Sequence, residues 1–157
     1  MYFDGTGDFL TIPGNPALAF GAGDFTIEMW INPDVISNNG IIQISQVTGG
    51  LDQNYNSLAI SLQALYYGSS YSSYNIFSAG VWQHVALTRQ GPTLRLFKDG
   101  VQALIIQNNT SNFTYSNVVI GGYYSTGYLF KGYLDDVRIT KGVARYVSNF
   151  TPPTASF

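Results

Sequence analysis

Apolar residues in this chain return at every second position, and the runs that show it are short. In Phe25-Thr26-Ile27-Glu28-Met29-Trp30-Ile31 one side collects Phe25, Ile27, Met29 and Ile31. A period of two is that of a β-strand, whose successive side chains point to opposite faces, and it is incompatible with an amphipathic helix. Leu58-Ala59-Ile60-Ser61-Leu62-Gln63 alternates in the same way, and Val85/Leu87 and Leu94/Leu96 repeat the pattern on two adjacent segments. Gly, Asn, Asp, Ser and Pro bound the runs, as expected where strands stop and turns begin. At ordinary strand lengths of about 5 to 6 residues, roughly a dozen strands would use up the chain. Two packed antiparallel sheets are the economical arrangement, so the predicted fold class is all-β, an antiparallel β-sandwich in one domain over residues 1–157.

Local signals sharpen that expectation. Asp99-Gly100 sits between Leu94-Arg95-Leu96-Phe97 and Val101, and predicts a tight hairpin because Gly accepts positive φ and Asp tolerates it. Two Gly-x-Gly-Asp-Phe pentads, Gly5 to Phe9 and Gly21 to Phe25, each lead into an apolar alternation. No helix follows to receive an anion at its N-terminus, so they read as turns rather than phosphate loops. Near the end, Leu134 and Val137 have opposite parity and cannot both face inward in a regular pleat. A bulge at Asp135-Asp136 restores both to the core and turns a carboxylate out of the ladder.

The chain is 45% hydrophobic and 15% aromatic with 10% charged residues, too apolar for disorder. Seven Lys and Arg residues are scattered and the net charge is −2, so no footprint for a phosphate backbone is present and nucleic acid is not an expected partner. Cysteine is absent, which removes disulfides, thiolate metal sites and cysteine nucleophiles together. No apolar run approaches the roughly 20 residues of a membrane span, and Met1-Tyr2-Phe3-Asp4 does not open a signal peptide, so no membrane contact is expected.

Five stretches resemble the laminin-G-like branch of the concanavalin A-like lectin/glucanase jelly rolls, in that family's order. They are Phe3-Asp4-Gly5-Thr6-Gly7-Asp8-Phe9-Leu10, Gly23-Asp24-Phe25-Thr26-Ile27-Glu28-Met29-Trp30, Trp82-Gln83-His84-Val85-Ala86-Leu87-Thr88-Arg89, Leu94-Arg95-Leu96-Phe97-Lys98-Asp99-Gly100, and Gly132-Tyr133-Leu134-Asp135-Asp136-Val137-Arg138-Ile139. The tail, Lys141-Gly142-Val143-Ala144-Arg145-Tyr146 with Asn149-Phe150-Thr151-Pro152-Pro153, resembles the version common in bacteriophage and environmental bacterial structural proteins. The resemblance implies a module on a virion or a cell surface that contacts glycans or surface polysaccharide, or else other virion or surface proteins. Such modules are repeated on homo-oligomers, where repetition raises weak single-site affinity.

Catalysis is not expected. Glucanases of the superfamily use a Glu-x-Asp-x-x-Glu strand whose paired carboxylates flank the scissile bond, and Glu28 is the single glutamate here. His84 is the only histidine and no Gly-x-Ser-x-Gly elbow exists, so a Ser-His-Asp triad has no support. A structural Ca²⁺, as in some relatives, is the cofactor the resemblance suggests. Its expected ligands are Asp4 and Asp136, then Asp8 and Asp135, with backbone carbonyls completing six to eight oxygens. Capping of nearby backbone N–H groups is the other reading of the same aspartates.

Sugar binding needs flat apolar platforms beside polar groups. Twelve tyrosines gather chiefly in Tyr66-Tyr67-Gly68-Ser69-Ser70-Tyr71-Ser72-Ser73-Tyr74-Asn75 and Gly121-Gly122-Tyr123-Tyr124-Ser125-Thr126-Gly127-Tyr128. Tyr, Ser, Gly and Asn are the palette of recognition loops, so Tyr66, Tyr67, Tyr71, Tyr74, Tyr123, Tyr124 and Tyr128 are the predicted ligand-facing residues. Half-buried strand packing is the alternative for the same residues. Opposite the core on its strand, Thr26, Glu28 and Trp30 face a sheet surface, and structural roles are expected for Glu28 and Trp30.

Overall fold

A computed structural model describes residues 1–46, 57–123 and 126–156. Each alternating segment forms a strand. In chain order these are β1 (Tyr2–Asp4), β2 (Leu10–Ile12), β3 (Phe25–Pro33), β4 (Gly40–Ser45), β5 (Leu58–Ser61), β6 (Ala64–Tyr67), β7 (Ser70–Ser73), β8 (Gln83–Gln90), β9 (Thr93–Lys98), β10 (Val101–Ile106), β11 (Asn117–Ile120) and β12 (Lys131–Lys141). They pair antiparallel throughout into two six-stranded sheets, β1-β12-β3-β8-β9-β10 (sheet A) and β2-β11-β4-β5-β6-β7 (sheet B). The expected sandwich is therefore present, with the first and last strands as neighbours.

The period-two residues make the core between the sheets. Phe25, Ile27, Met29 and Ile31 of β3, Val85 and Leu87 of β8, and Leu94 and Leu96 of β9 come from sheet A; Ile42, Ile44, Leu58, Ile60, Leu65 and Val118 come from sheet B. Full burial of each such side chain is worth about 1.5–3 kcal/mol. One end of the sandwich is closed by Arg89, whose guanidinium donates to the carbonyls of Gly91 (2.9 Å), Ser111 (2.7 Å) and Asn109 (3.2 Å) and lies over the Phe113 ring.

Both local irregularities stand where the residues place them. Asp99 (φ 50°) and Gly100 (φ 76°) form the two-residue turn between β9 and β10. In β12 the pairing with β3 slips between Asp135, opposite Trp30, and Arg138, opposite Glu28, with Asp136 at φ 47°. That single extra residue buries Leu134 and brings Val137 against the core.

Candidate functional site

The tyrosine stretches come together as expected, but mostly as scaffold. Tyr66 on β6 lies across from Tyr71 on β7, their rings stacked at 5.8 Å, and the Tyr66 ring is 5.0 Å from that of Tyr123. Asn38 donates to both the Tyr66 and Tyr123 hydroxyls, at 3.1 and 2.7 Å, while its carbonyl oxygen accepts from Ser61. Tyr123 is only 5% exposed, and burial together with the hydrogen bond to Tyr66 pushes its hydroxyl far above the ordinary tyrosine value. The Tyr74 hydroxyl donates to the carbonyls of Ser61 and Ala64, and Tyr67 pairs with Ser72. Tyr128, in a single 3-10 turn, packs its ring 5.2 Å from Tyr123. The half-buried packing weighed for these tyrosines is what most of them show: a phenol brought under a sheet edge must satisfy its hydroxyl, and here tyrosine, asparagine and backbone do so. Tyr71, 66% exposed, is the most open of them, and with Tyr66, Tyr74 and Asn38 it lines a cleft of about 560 Å³. Tyr124 lies outside the described residues.

The four aspartates do not converge. Asp4 lies opposite Lys131 in the β1–β12 pairing, whereas Asp135 is four residues further along β12. Asp4 accepts from Thr6 N–H (2.5 Å) and Asp8 from Asp4 N–H (3.3 Å), while Asp135 accepts from Asp136 N–H (3.0 Å). Among the described residues no group of three or more His, Cys, Asp or Glu side chains is placed to hold a metal ion. Strand register sets Asp4 and Asp8 apart from Asp135 and Asp136, and Asp4, Asp8 and Asp135 cap backbone amides, the other reading of these aspartates.

On the outer face of sheet A the segment after β12 is decisive. It turns back across the strands: Thr26 donates to the Val143 carbonyl (2.8 Å), Thr88 to that of Tyr146 (2.8 Å), and Phe150 N–H to that of Gly100 (2.9 Å). The Tyr146 and Phe150 rings stack at 3.5 Å, and Phe150 also packs edge-on against Phe97 and His84. A Cβ at Gly100 would overlap the Phe150 carbonyl oxygen, so this turn needs glycine for the strap as well as for its φ. Beneath the strap Glu28 is fully buried. Arg138 donates to its Oε1 at 2.9 and 2.7 Å, Tyr146 to its Oε2 at 2.8 Å, and His84 Nε2 stands 3.5 Å away. Burial alone would raise the Glu28 carboxyl; His84, the Tyr146 hydroxyl and the Arg138 guanidinium outweigh it and hold the group below its ordinary value. Burial and the bond to Glu28 push the Tyr146 hydroxyl up to about 12. Glu28 is the structural residue it was expected to be.

The strap covers only part of the face. Past Phe150 it leaves a cleft of about 680 Å³ walled by Trp30 and Trp82, Asp99 and Asp136, and residues 151–156. Trp30 is half-buried and Trp82 is 47% exposed. The Trp82 ring is 6.2 Å from Tyr133, which is 4.9 Å from Tyr2, so exposed aromatic faces continue from the cleft across β12 to β1. Tyr2 donates to Asp34 (2.9 Å), which fixes that end of the row. Trp30 was expected to be structural and Trp82 was not singled out. Parity held the signal: Trp82 and His84 have the same parity, and the register His84↔Trp30 puts both tryptophans on one face.

The family model of the concanavalin A-like lectin/glucanases superfamily matches residues 4–144. Domain 4 of AbnA, a GH43 extracellular arabinanase from Geobacillus stearothermophilus solved with arabinotriose, superposes with a TM-score of 0.65 at 15% identity, covering 91% of this chain and 70% of that one. The CBM40 of the Ruminococcus gnavus IT-sialidase, bound to α2,3-sialyllactose, gives 0.59 at 15% identity over 88% and 94% of the two chains. Mouse laminin α1 domains LG4-5 give 0.59 at 16% identity over 88% and 40%. No curated protein matches the sequence.

Proposed function

Because the chain belongs to the concanavalin A-like lectin/glucanase superfamily, we propose that it is a non-catalytic carbohydrate-recognition module whose sugar rests on Trp30 and Trp82. The observation that carries this reading is the cleft itself: two indoles beside two carboxylates, continued by the exposed rings of Tyr133 and Tyr2. A pyranose or furanose presents C–H faces that stack on such rings and hydroxyls that donate to carboxylates at the edge. The row is long enough for an oligosaccharide. Similarity to domains solved with arabinotriose and sialyllactose supports a sugar-binding use of this fold. Glu28, the single glutamate, is sealed under the strap and bonded on both oxygens, so the paired-glutamate chemistry of the superfamily's glucanases has no counterpart here, which supports the non-catalytic part. The likeness of the tail to phage and bacterial structural proteins supports a setting on a virion or cell surface, where copies act together.

A glycan array probed with the wild-type domain, with Trp82→Ala and with Tyr71→Ala tests the reading. Binding to a defined glycan class that the variant loses supports it; binding that survives Trp82→Ala but vanishes in Tyr71→Ala moves the site to the sheet B cleft and overturns it. A protein-contact role is the second reading, favoured by edge strand β10, whose Val101 and Ile105 are 59% and 43% exposed. It predicts a stable oligomer that Val101→Lys dissociates, together with a blank array.

A further inference from the structure

The charged side chains that line the tryptophan cleft are both acids. Asp99 and Asp136 line it and neither Lys nor Arg does. Lys98 Nζ stands 3.8 Å from Asp99 Oδ2, a partly exposed ion pair at the rim that offsets Asp99 in part, while Arg138 is bonded to the buried Glu28. The backbone holds the Asp99 side chain and sets the position of Asp136. Asp99 occupies the first position of the β9–β10 turn and accepts from His84 N–H at 2.8 Å, and Asp136 sits in the bulge of β12.

Resting on the glycan reading above, we infer that the cleft selects neutral sugars and rejects acidic ones, namely sialylated, uronic and sulfated glycans. A carboxylate only accepts hydrogen bonds, so its complement is a ligand rich in donors, and the hydroxyls of an uncharged sugar are that. A sugar carboxylate or sulfate would bring a third negative charge beside Asp99 and Asp136, with no guanidinium among the lining residues to receive it. This separates the chain from its structural neighbour solved with sialyllactose, whose ligand carries a carboxylate. Fold is shared; the charge at the site sets the class of ligand.

The test is a glycan array built of matched pairs: lactose- and N-acetyllactosamine-terminated glycans beside their α2,3-sialylated forms, and neutral glucans and arabinans beside oligogalacturonates. It is run at low salt with chelator present, which removes any cation able to bridge two carboxylates. Three proteins are compared: the full chain, Trp82→Ala, and Asp99→Asn/Asp136→Asn. Asparagine tolerates the left-handed φ of both positions and keeps the acceptor for His84 N–H, so the double variant should fold. The wild type is expected to hold the neutral member of any bound pair about tenfold more tightly than the acidic one. The double variant should narrow that ratio to within about threefold, and added salt should narrow it in the wild type alone. Acidic members bound as well as or better than their neutral partners overturn the inference and leave the glycan reading standing. A ratio unchanged in the double variant also overturns it. An array blank for every pair, with a native melting profile, overturns the glycan reading and this inference together.

Discussion

The two aromatic clusters of this sandwich are made of similar residues and end in opposite states. In sheet B, Tyr66, Tyr67, Tyr74 and Tyr123 direct their hydroxyls to Asn38, Ser72, backbone carbonyls and one another, and Tyr123 is nearly sealed. On sheet A, Trp82, Tyr133 and Tyr2 are each close to half exposed, and the carboxylates beside Trp30 and Trp82 sit at the mouth of a cleft. The tyrosine region has most of its hydroxyls tied into hydrogen bonds and keeps an opening beside Tyr71, whereas the tryptophan region is covered only as far as the strap reaches. Abundance of aromatic residues is therefore a poor guide to a binding surface, and the proposed site rests instead on the aromatic faces left over once polar atoms have found their partners.

The strap that draws this boundary can be broken from beneath. Glu28→Ala removes the acceptor of Arg138 and Tyr146 from a site where Glu28 has no exposure. We expect a loss of about 3–5 kcal/mol, the largest of any single change considered, read as a fall in the midpoint of urea unfolding. Acid should mimic it in part. The folded-state pKa of Glu28 lies below its unfolded value, so its contribution is complete above about pH 4.3 and is lost as pH falls through the folded value. Wild-type stability should therefore decline more steeply on acidification than that of Glu28→Gln, and parallel profiles would exclude this latch.

Next in size, Tyr123→Ala should cost about 3 kcal/mol by opening a cavity and stripping Asn38 of a partner, while leaving affinity for the neutral glycan unchanged. A variant that kept its stability but lost binding would reverse the assignment of the two clusters.

Much of this molecule was legible before its structure. Period two placed Phe25, Ile27, Met29 and Ile31 in the core, Asp99-Gly100 made its hairpin, and the parity clash of Leu134 with Val137 marked the bulge. Those features are local, decided by residues within one or two strands. The site was less legible because it depends on contacts far apart in sequence. Tyr123 looks like a loop residue until Asn38, 85 positions away, takes its hydroxyl. Asp4 and Asp136 share neighbouring strands, yet register, which their spacing does not encode, keeps them apart. The strap was read as a tail resembling phage relatives, and nothing in its composition said it would lie over Glu28. Trp82 was the recoverable miss, since its parity with His84 already set it opposite the core.

The smallest effects on stability give the sharpest contrast. Trp82→Ala and Tyr71→Ala each truncate an aromatic ring that is about half or more exposed, at 47% and 66%, so unfolding should shift by less than about 1 kcal/mol in both. Binding should tell them apart. Trp82 supplies a wall of the cleft and the link from Trp30 to Tyr133, and its loss removes a stacking face worth about tenfold in affinity or more. Tyr71 stacks on Tyr66 at the far sheet and should leave the glycan dissociation constant within about twofold of wild type. Titration calorimetry of the two variants against the neutral oligosaccharide preferred on the array measures both numbers. Equal losses would mean that the ligand reaches both clusters, which lie on different sheets, and the distinction between a closed and an open aromatic region would then fail as a guide to the site.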